Sequence, residues 1–134
     1  MNQNKYVKAF VAGSAFPVIL SPMLYLGIPS ILYPVASFNY FEHLLIIPVL
    51  VGMLNVLFVG VKQHLPSGVT RYWLWGAGHG FVFTLLGNFS SNIPTELFML
   101  ERPLAFVTIP IATILYALIW RYIIRNINVM MGID

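Results

Sequence analysis

The stretch RYWLWGAGHGFVFTLLGNFSSNIP, from Arg71 to Pro94, decides the fold. Between Arg71 and Glu96, His79 is the only histidine, lysine, arginine, aspartate or glutamate. About 20 apolar residues in helical form cross the ~30 Å hydrocarbon core of a bilayer. Because the stretch is long enough to cross this hydrocarbon core as a helix, we predict a membrane-spanning helix over residues 71–93.

Small residues recur along one side of this helix, at every third or fourth position: Gly76, Gly80, Thr84, Gly87 and Ser91. At about 100° per residue they fall within about 80° of arc. In lipid, the hydrophobic effect does not favour association between helices. Helices associate through van der Waals packing instead, and small residues favour it because they let two backbones approach closely. We therefore predict that this face packs against another helix, with Gly76 and Gly80 at the closest approach.

The composition of the chain indicates a membrane protein. Of its 134 residues, 59% are hydrophobic and only 8% are charged, whereas soluble domains carry about 25% charged residues. We predict an all-α fold, a polytopic membrane four-helix bundle, with residues 1–134 forming a single transmembrane domain. The absence of cysteine excludes disulfides and thiol chemistry. No Lys/Arg cluster is present, so nucleic acid is not an expected partner.

Apolar runs separated by polar or proline-rich segments predict four helices, over residues 6–26, 41–61, 71–93 and 103–123. Pro17 and Pro22 lie inside the first helix, which we expect to be kinked or broken there. Pro48 and Pro110 are expected to kink the second and fourth helices. Residues 27–40 contain two further prolines and no charge, and we predict a loop for them.

The basic residues predict the orientation of the chain. Of the 7 Lys and Arg residues, only Arg102 falls on one side of the predicted membrane, and the other side has Lys5, Lys8, Lys62, Arg71, Arg121 and Arg125. Loops with an excess of Lys and Arg stay in the cytoplasm. We therefore expect a multi-pass protein of the plasma membrane, or of the inner membrane in a prokaryote, with both termini cytoplasmic.

A weak internal repeat is visible when the sequence is shifted by 65 positions. The shift pairs Gly13 with Gly78 and Pro29 with Pro94, together with several apolar residues. One interpretation is a tandem duplication of a two-helix unit, as in some transporters. The other is chance, since apolar helices of low complexity often match one another.

Three polar residues are predicted at similar depths in the cytoplasmic half of the membrane: Ser14, Asn55 and His79. Ionisable groups inside a membrane are costly and are candidates for function. A neutral histidine costs least among them, so a structural His79, hydrogen-bonded to Asn55 or to a carbonyl freed by proline, is the competing interpretation. Asn88 is a further candidate ligand or pathway residue, since it flanks the small face of its helix.

A second polar cluster is predicted at the outer ends of the helices, with Glu42, His43, Glu101 and Arg102 as its candidate residues. It is interpreted either as an outward vestibule or as an interfacial rim with one or two ion pairs. Neither adjacent pair has the i,i+3 or i,i+4 spacing that puts two ligands on one helix face. We therefore predict no metal site.

Three functions remain open at this point. The first is a small non-enzymatic membrane module, either a subunit of a larger assembly or a homo-oligomer, with the lipid bilayer and other membrane subunits as partners. The second is a transporter or channel for a small solute or ion, with the inner polar layer along its pathway. The third is a membrane enzyme, and no catalytic motif supports it. The sequence indicates no particular cofactor.

Overall fold

The computed structural model describes residues 3–32, 41–90 and 101–134, and within them the side chains of residues 4–20, 22–23, 46–89 and 101–134. These residues form helices and turns and contain no strand, which confirms the all-α prediction. The helices are α1 (Gln3–Leu32), α2 (Phe41–Val61), α3 (Thr70–Ser90) and α4 (Arg102–Met130).

Helix α1 is longer than the sequence suggested. It runs without interruption through Pro17 and Pro22 and ends at Leu32. The predicted break is therefore wrong, whereas the alternative, a kink at these prolines, stays a prediction. The predicted loop is also wrong over residues 27–32; residues 33–40 lie outside the described part of the chain. A proline removes one backbone hydrogen bond and displaces the carbonyl four residues earlier, but a long helix resumes on either side of it.

Helix α4 is built from four consecutive segments: Arg102–Ala105, Thr108–Ile119, a π-helical turn over Trp120–Ile124, and Arg125–Met130. The interruption after Ala105 lies one turn before Pro110. Because Pro110 has no N–H, it cannot bond the carbonyl of Phe106. That carbonyl accepts a hydrogen bond from the N–H of Ile109 instead, at 3.1 Å. The proline thus accounts for the local departure from regular α-helix.

The end of α4 lies well beyond residue 123, where the sequence suggested it. Gly132 has a φ of +67°, which only glycine adopts without strain. The N–H of Ile133 donates to the carbonyl of Asn128 at 3.0 Å, and the N–H of Gly132 donates to Val129 at 3.0 Å. This pair of bonds is the Schellman arrangement that closes a helix.

The chain divides into two compact units. Unit 1 comprises Met1–His64 and Asn126–Asp134, and unit 2 comprises Leu65–Arg125. In unit 1, α1 and α2 pack antiparallel. Ala9, the earlier residue on α1, contacts Asn55, and Ser14, the later one, contacts Pro48, which precedes Asn55 on α2.

In unit 2, α3 and α4 also pack antiparallel. Gly76, near the start of α3, lies against the backbone of Tyr116. Asn88, near the end of α3, bonds Thr108 near the start of α4. Each unit therefore contains one pair of long helices.

Among the described residues, two helices are long and apolar enough to cross a membrane, Ile46–His64 and Arg102–Met130. Only 28% and 17% of their apolar windows are buried, whereas the core helix of a soluble protein is mostly buried. Length and composition give weak support for membrane association. Helix α3 is not among the helices that meet this criterion of length and apolar composition.

Candidate functional site

A pair of asparagines forms the polar centre of unit 1. Asn55 on α2 and Asn128 on α4 are both 0% exposed. Asn55 Nδ2 donates to Asn128 Oδ1 at 2.8 Å, and Asn128 Nδ2 donates back to Asn55 Oδ1 at 3.0 Å. Asn55 Nδ2 also donates to the carbonyl of Ala9 on α1, at 2.8 Å. The pair therefore joins three segments of unit 1.

Sequence reasoning identified Asn55 but missed Asn128. Asn128 follows two arginines and lies beyond the predicted end of the fourth helix. A signal was present, since Trp120, Ile124 and Asn128 recur at four-residue spacing and all three are buried. Extending the helical periodicity past Arg125 would have placed Asn128 on the buried face of α4.

Ser14 takes part in the packing of α1 on α2. Its Oγ donates to the carbonyl oxygen of Pro48 at 2.9 Å. Beside it, a methyl group added at Gly13 would lie 2.7 Å from the backbone oxygen of Val51 and 2.7 Å from Cβ of Asn55. The missing side chain at Gly13 lets the two backbones come close enough for Asn55 to reach α1.

The same unit has lysines around the last turn of the chain. Lys62 Nζ donates to the carbonyl of Ile133 at 2.7 Å and lies 3.6 Å from a carboxylate oxygen of Asp134. Lys8 Nζ donates to the carbonyl of Met131 at 3.3 Å. A cleft of about 120 Å³ lies here, lined by Asn4, Lys5, Lys8, Gly132 and Ile133. None of the predicted site residues lines this cleft.

His79 belongs to unit 2 and is surrounded by aromatic rings. Its ring lies 4.8 Å from Trp75 edge-on, 5.6 Å from Trp120 in a stacked arrangement, and 5.9 Å from Phe83, measured between centroids. Its Nδ1 is buried without a hydrogen-bond partner.

The hydrogen-bonded role that we expected for a structural His79 stays a prediction, since the contacts described are between rings. The described neighbours of His79 are aromatic side chains of its own unit, and Ser14 and Asn55 belong to the other unit. A single polar layer formed by Ser14, Asn55 and His79 therefore stays a prediction.

The glycine face of α3 packs against α4 within the chain. A methyl group added at Gly76 would lie 2.6 Å from the carbonyl oxygen of Tyr116, and one at Gly80 would lie 2.6 Å from the carbonyl oxygen of Ala112. Real Cβ atoms do not approach so closely, so glycine is required at both positions. Because this close approach is intramolecular, the GxxxG pattern does not by itself argue for an oligomer.

The other small residues of this face behave differently. Thr84 Oγ1 donates to the carbonyl of Gly80 in its own helix at 2.6 Å. A methyl group added at Gly87 would meet no further heavy atom within 4 Å. Ser91 lies outside the described residues. The close approach is therefore concentrated in the first half of α3.

Asn88 holds the other end of α3 to α4. It is 8% exposed. Its Nδ2 donates to the carbonyl of Thr84 at 2.8 Å and to Thr108 Oγ1 at 3.2 Å. These bonds give Asn88 a packing role in unit 2.

The predicted outer cluster is only partly described. Glu101 and Arg102 are exposed at the start of α4. Glu42 and His43 belong to α2, but their side chains lie outside the described set. In the part of the chain with described side chains, no three histidine, aspartate or glutamate residues are grouped to hold a metal ion. The vestibule stays a prediction.

Compared with known proteins, the chain matches no protein-family model, no curated protein sequence and no solved structure.

Proposed function

We propose that this protein is a small integral membrane protein that acts as a non-enzymatic module, as a subunit of a larger assembly or as a homo-oligomer. The observation that carries the proposal is the exposed apolar surface of α2 and α4. Exposed on α2 are Ile46, Val49, Leu50, Met53, Leu57 and Val61, and on α4 Leu104, Phe106, Val107, Ile111, Ile114, Leu115 and Leu118.

Water is a poor solvent for such surfaces. Soluble monomers rarely expose contiguous apolar patches larger than a few hundred Å². Lipid accepts apolar side chains all round a helix, provided that backbone polar groups are bonded within it. The polar side chains of the helix pairs support the same proposal, because Ser14, Asn55 and Asn88 bond protein groups inside their own units.

The proposed topology has four crossings with both termini in the cytoplasm, and it follows the distribution of lysine and arginine. Assembly with other copies or subunits would use the exposed faces of α2 and α4, since Gly76 and Gly80 of α3 are already packed against α4.

Transport is the second candidate function, and one observation favours it. Nδ1 of His79 is buried without a partner, and an unsatisfied polar atom inside a membrane protein is a candidate for contact with a solute. Against it, Asn55 is wholly buried and its amide is bonded on both sides. We therefore rank transport below the structural module.

The experiment begins with membranes from cells that express the chain. We expect the protein to stay in the pellet after alkaline carbonate washing and to be released only by detergent. Release by carbonate would overturn the proposal. Native mass spectrometry in a mild detergent then tests the role: we expect a defined oligomer or a co-purifying membrane protein. A monomer without any partner would overturn the assembly role and favour transport.

A further inference from the structure

Arginine and aromatic side chains gather at one end of unit 2, where the start of α3 meets the π-helical turn of α4. The guanidinium carbon of Arg121 lies 5.1 Å from the ring centroid of Trp73 and 4.9 Å from that of Tyr122. The guanidinium of Arg71 lies 5.6 Å from the ring centroid of Tyr72. We call Arg71, Tyr72, Trp73, Arg121 and Tyr122 the arginine–aromatic end.

The arginine–aromatic end carries two positive charges, those of Arg71 and Arg121. Among the described residues of unit 2, Glu101 is the only carboxylate, and it lies at the start of α4. From there to Arg121 the helix extends about 30 Å at 1.5 Å per residue. That is also about the thickness of the hydrocarbon core of a bilayer. Arg125, one turn beyond Arg121, adds a further positive charge.

We propose that the arginine–aromatic end binds the phosphate headgroup of an anionic phospholipid, with Arg121 as the principal contact. This inference rests on the proposed membrane location. The guanidinium of Arg121 lies over two aromatic rings, which restrain its orientation. It forms no hydrogen bond within the described part of the chain, so its N–H groups can donate as a fork to two phosphate oxygens. Tryptophan and tyrosine are enriched at headgroup depth.

The surface beside Arg121 favours a lipid over free phosphate. Ile114, Leu118 and Tyr122 recur at four-residue spacing and are all exposed. They form an apolar stripe along α4 that ends at the turn of Arg121. A phospholipid bound at Arg121 could lay an acyl chain along this stripe, whereas inorganic phosphate would gain nothing from it.

The test uses the full chain in mixed micelles with equal amounts of phosphatidylglycerol and phosphatidylcholine. Native mass spectrometry measures which lipid stays bound. We expect the unaltered protein to retain phosphatidylglycerol preferentially, and Arg121→Gln to reduce that preference about tenfold, because a charge-assisted contact is lost. Arg121→Lys keeps the charge but not the fork, and we expect an intermediate loss.

Arg102→Gln is the matched control, since it removes the same charge from an exposed residue at the other end of α4. It should leave the lipid preference unchanged. Equal retention of both lipids by the unaltered protein, or equal losses in the Arg121→Gln and Arg102→Gln variants, would overturn the inference. If the Arg121→Gln variant does not fold, the Arg121→Lys variant provides the test. An unchanged preference for phosphatidylglycerol in the Arg121→Lys variant would then overturn the inference.

Two further results separate this inference from neighbouring ones. Excess inorganic phosphate should not displace the lipid; complete displacement would make free phosphate the ligand and overturn the lipid assignment. A protein that remains in carbonate-washed membranes but shows no preference for phosphatidylglycerol contradicts this inference alone. A protein that carbonate releases contradicts the proposed membrane location as well.

Discussion

Asn55 and Asn128 lie 73 positions apart in the sequence and exchange two hydrogen bonds between their side-chain amides. Both are fully buried, so water cannot replace either bond. An amide pair of this kind is stronger in a low dielectric than in water, and leaving one member unpaired is correspondingly costly. The pair fastens the last turns of the chain to α1 and α2.

The first prediction concerns this pair. Replacing Asn128 by leucine removes both bonds and leaves the amide of Asn55 short of a partner. We expect the free energy of unfolding in detergent to fall by about 1–3 kcal/mol, as measured by denaturant titration.

The control for this prediction is the double variant Asn55→Leu/Asn128→Leu, in which no amide is left unpaired. Its loss should be smaller than the sum of the two single losses, and the double-mutant cycle gives the coupling energy of the pair. Strictly additive losses would show that the two amides do not interact.

The second prediction concerns the glycine seam of unit 2. Gly80→Ala would put a methyl group 2.6 Å from the carbonyl oxygen of Ala112, and the helices would have to separate. We expect a loss of about 1–3 kcal/mol from overpacking. Gly78→Ala is the matched control on the same helix, because nothing lies within 4 Å of its added methyl group.

The Gly78→Ala control should not lower the stability. Alanine is a better helix former than glycine by about 1 kcal/mol, so Gly78→Ala should be neutral or stabilising. Thermal unfolding of the two variants, side by side in one detergent, gives the comparison. If the two variants had equal stability, α3 would not approach α4 along Gly80.

Much of the helical framework could be predicted because it depends on local composition. The described α2 begins and ends at the predicted residues, and α3 begins one residue earlier than predicted. The predicted C-terminal ends of α1 and α4 were wrong. Prolines in α1 and arginines in α4 were interpreted as signals that end a helix, whereas α1 continues to Leu32 and α4 to Met130. A long helix continues past a proline or an arginine as long as the residues that follow keep their backbone hydrogen bonds.

The contacts of the candidate residues could not be predicted to the same degree. The periodicity of α3 marks its small face, but it does not say which helix covers that face. The repeat paired Gly13 with Gly78, yet Gly13 is closely packed and Gly78 is open. The partner of Asn55 was missed because Asn128 lies 73 positions away, and pairing at such a distance depends on the tertiary fold.

The third prediction concerns His79. Its ring contacts are with Trp75, Trp120 and Phe83, and its buried Nδ1 has no partner. His79→Phe keeps an aromatic ring and removes the unpartnered nitrogen, so stability should be unchanged or higher. His79→Ala removes these ring contacts, and because His79 is only partly buried we expect a loss of about 0.5–3 kcal/mol.

Thermal unfolding of both variants in detergent measures the difference. A large loss of stability in His79→Phe would mean that the imidazole nitrogens make an essential polar contact. Solute flux should be measured on the same protein, because a functional histidine would lose flux in His79→Phe without losing stability.

The fourth prediction tests whether the inner polar residues face water. The chain has no cysteine, so each introduced thiol can be followed alone. We expect cysteine at Asn55 to be inert towards a small water-soluble thiol reagent, because the position is fully buried. Cysteine at the exposed Gln63 is the control and should react quickly. Rapid labelling at Asn55 in a protein that remains folded would raise transport above the structural module.

The last prediction concerns the proposed topology, and it uses two exposed positions on the two sides of α3. Gln63 lies before α3 in the sequence, and Glu101 lies after α3, immediately before the first residue of α4. If α3 crosses the membrane once, a cysteine at Gln63 and a cysteine at Glu101 must face opposite compartments. The excess of lysine and arginine around Gln63 predicts that this position faces the cytoplasm.

A membrane-impermeant thiol reagent applied to intact cells should therefore label Glu101→Cys and leave Gln63→Cys unlabelled until the membrane is opened. The pattern distinguishes three arrangements. Labelling of Gln63→Cys alone would mean that the chain is inserted the other way round. Labelling of both positions from outside would mean that α3 does not cross. The four-crossing topology and the placement of Arg121 at the cytoplasmic headgroups would then both be wrong.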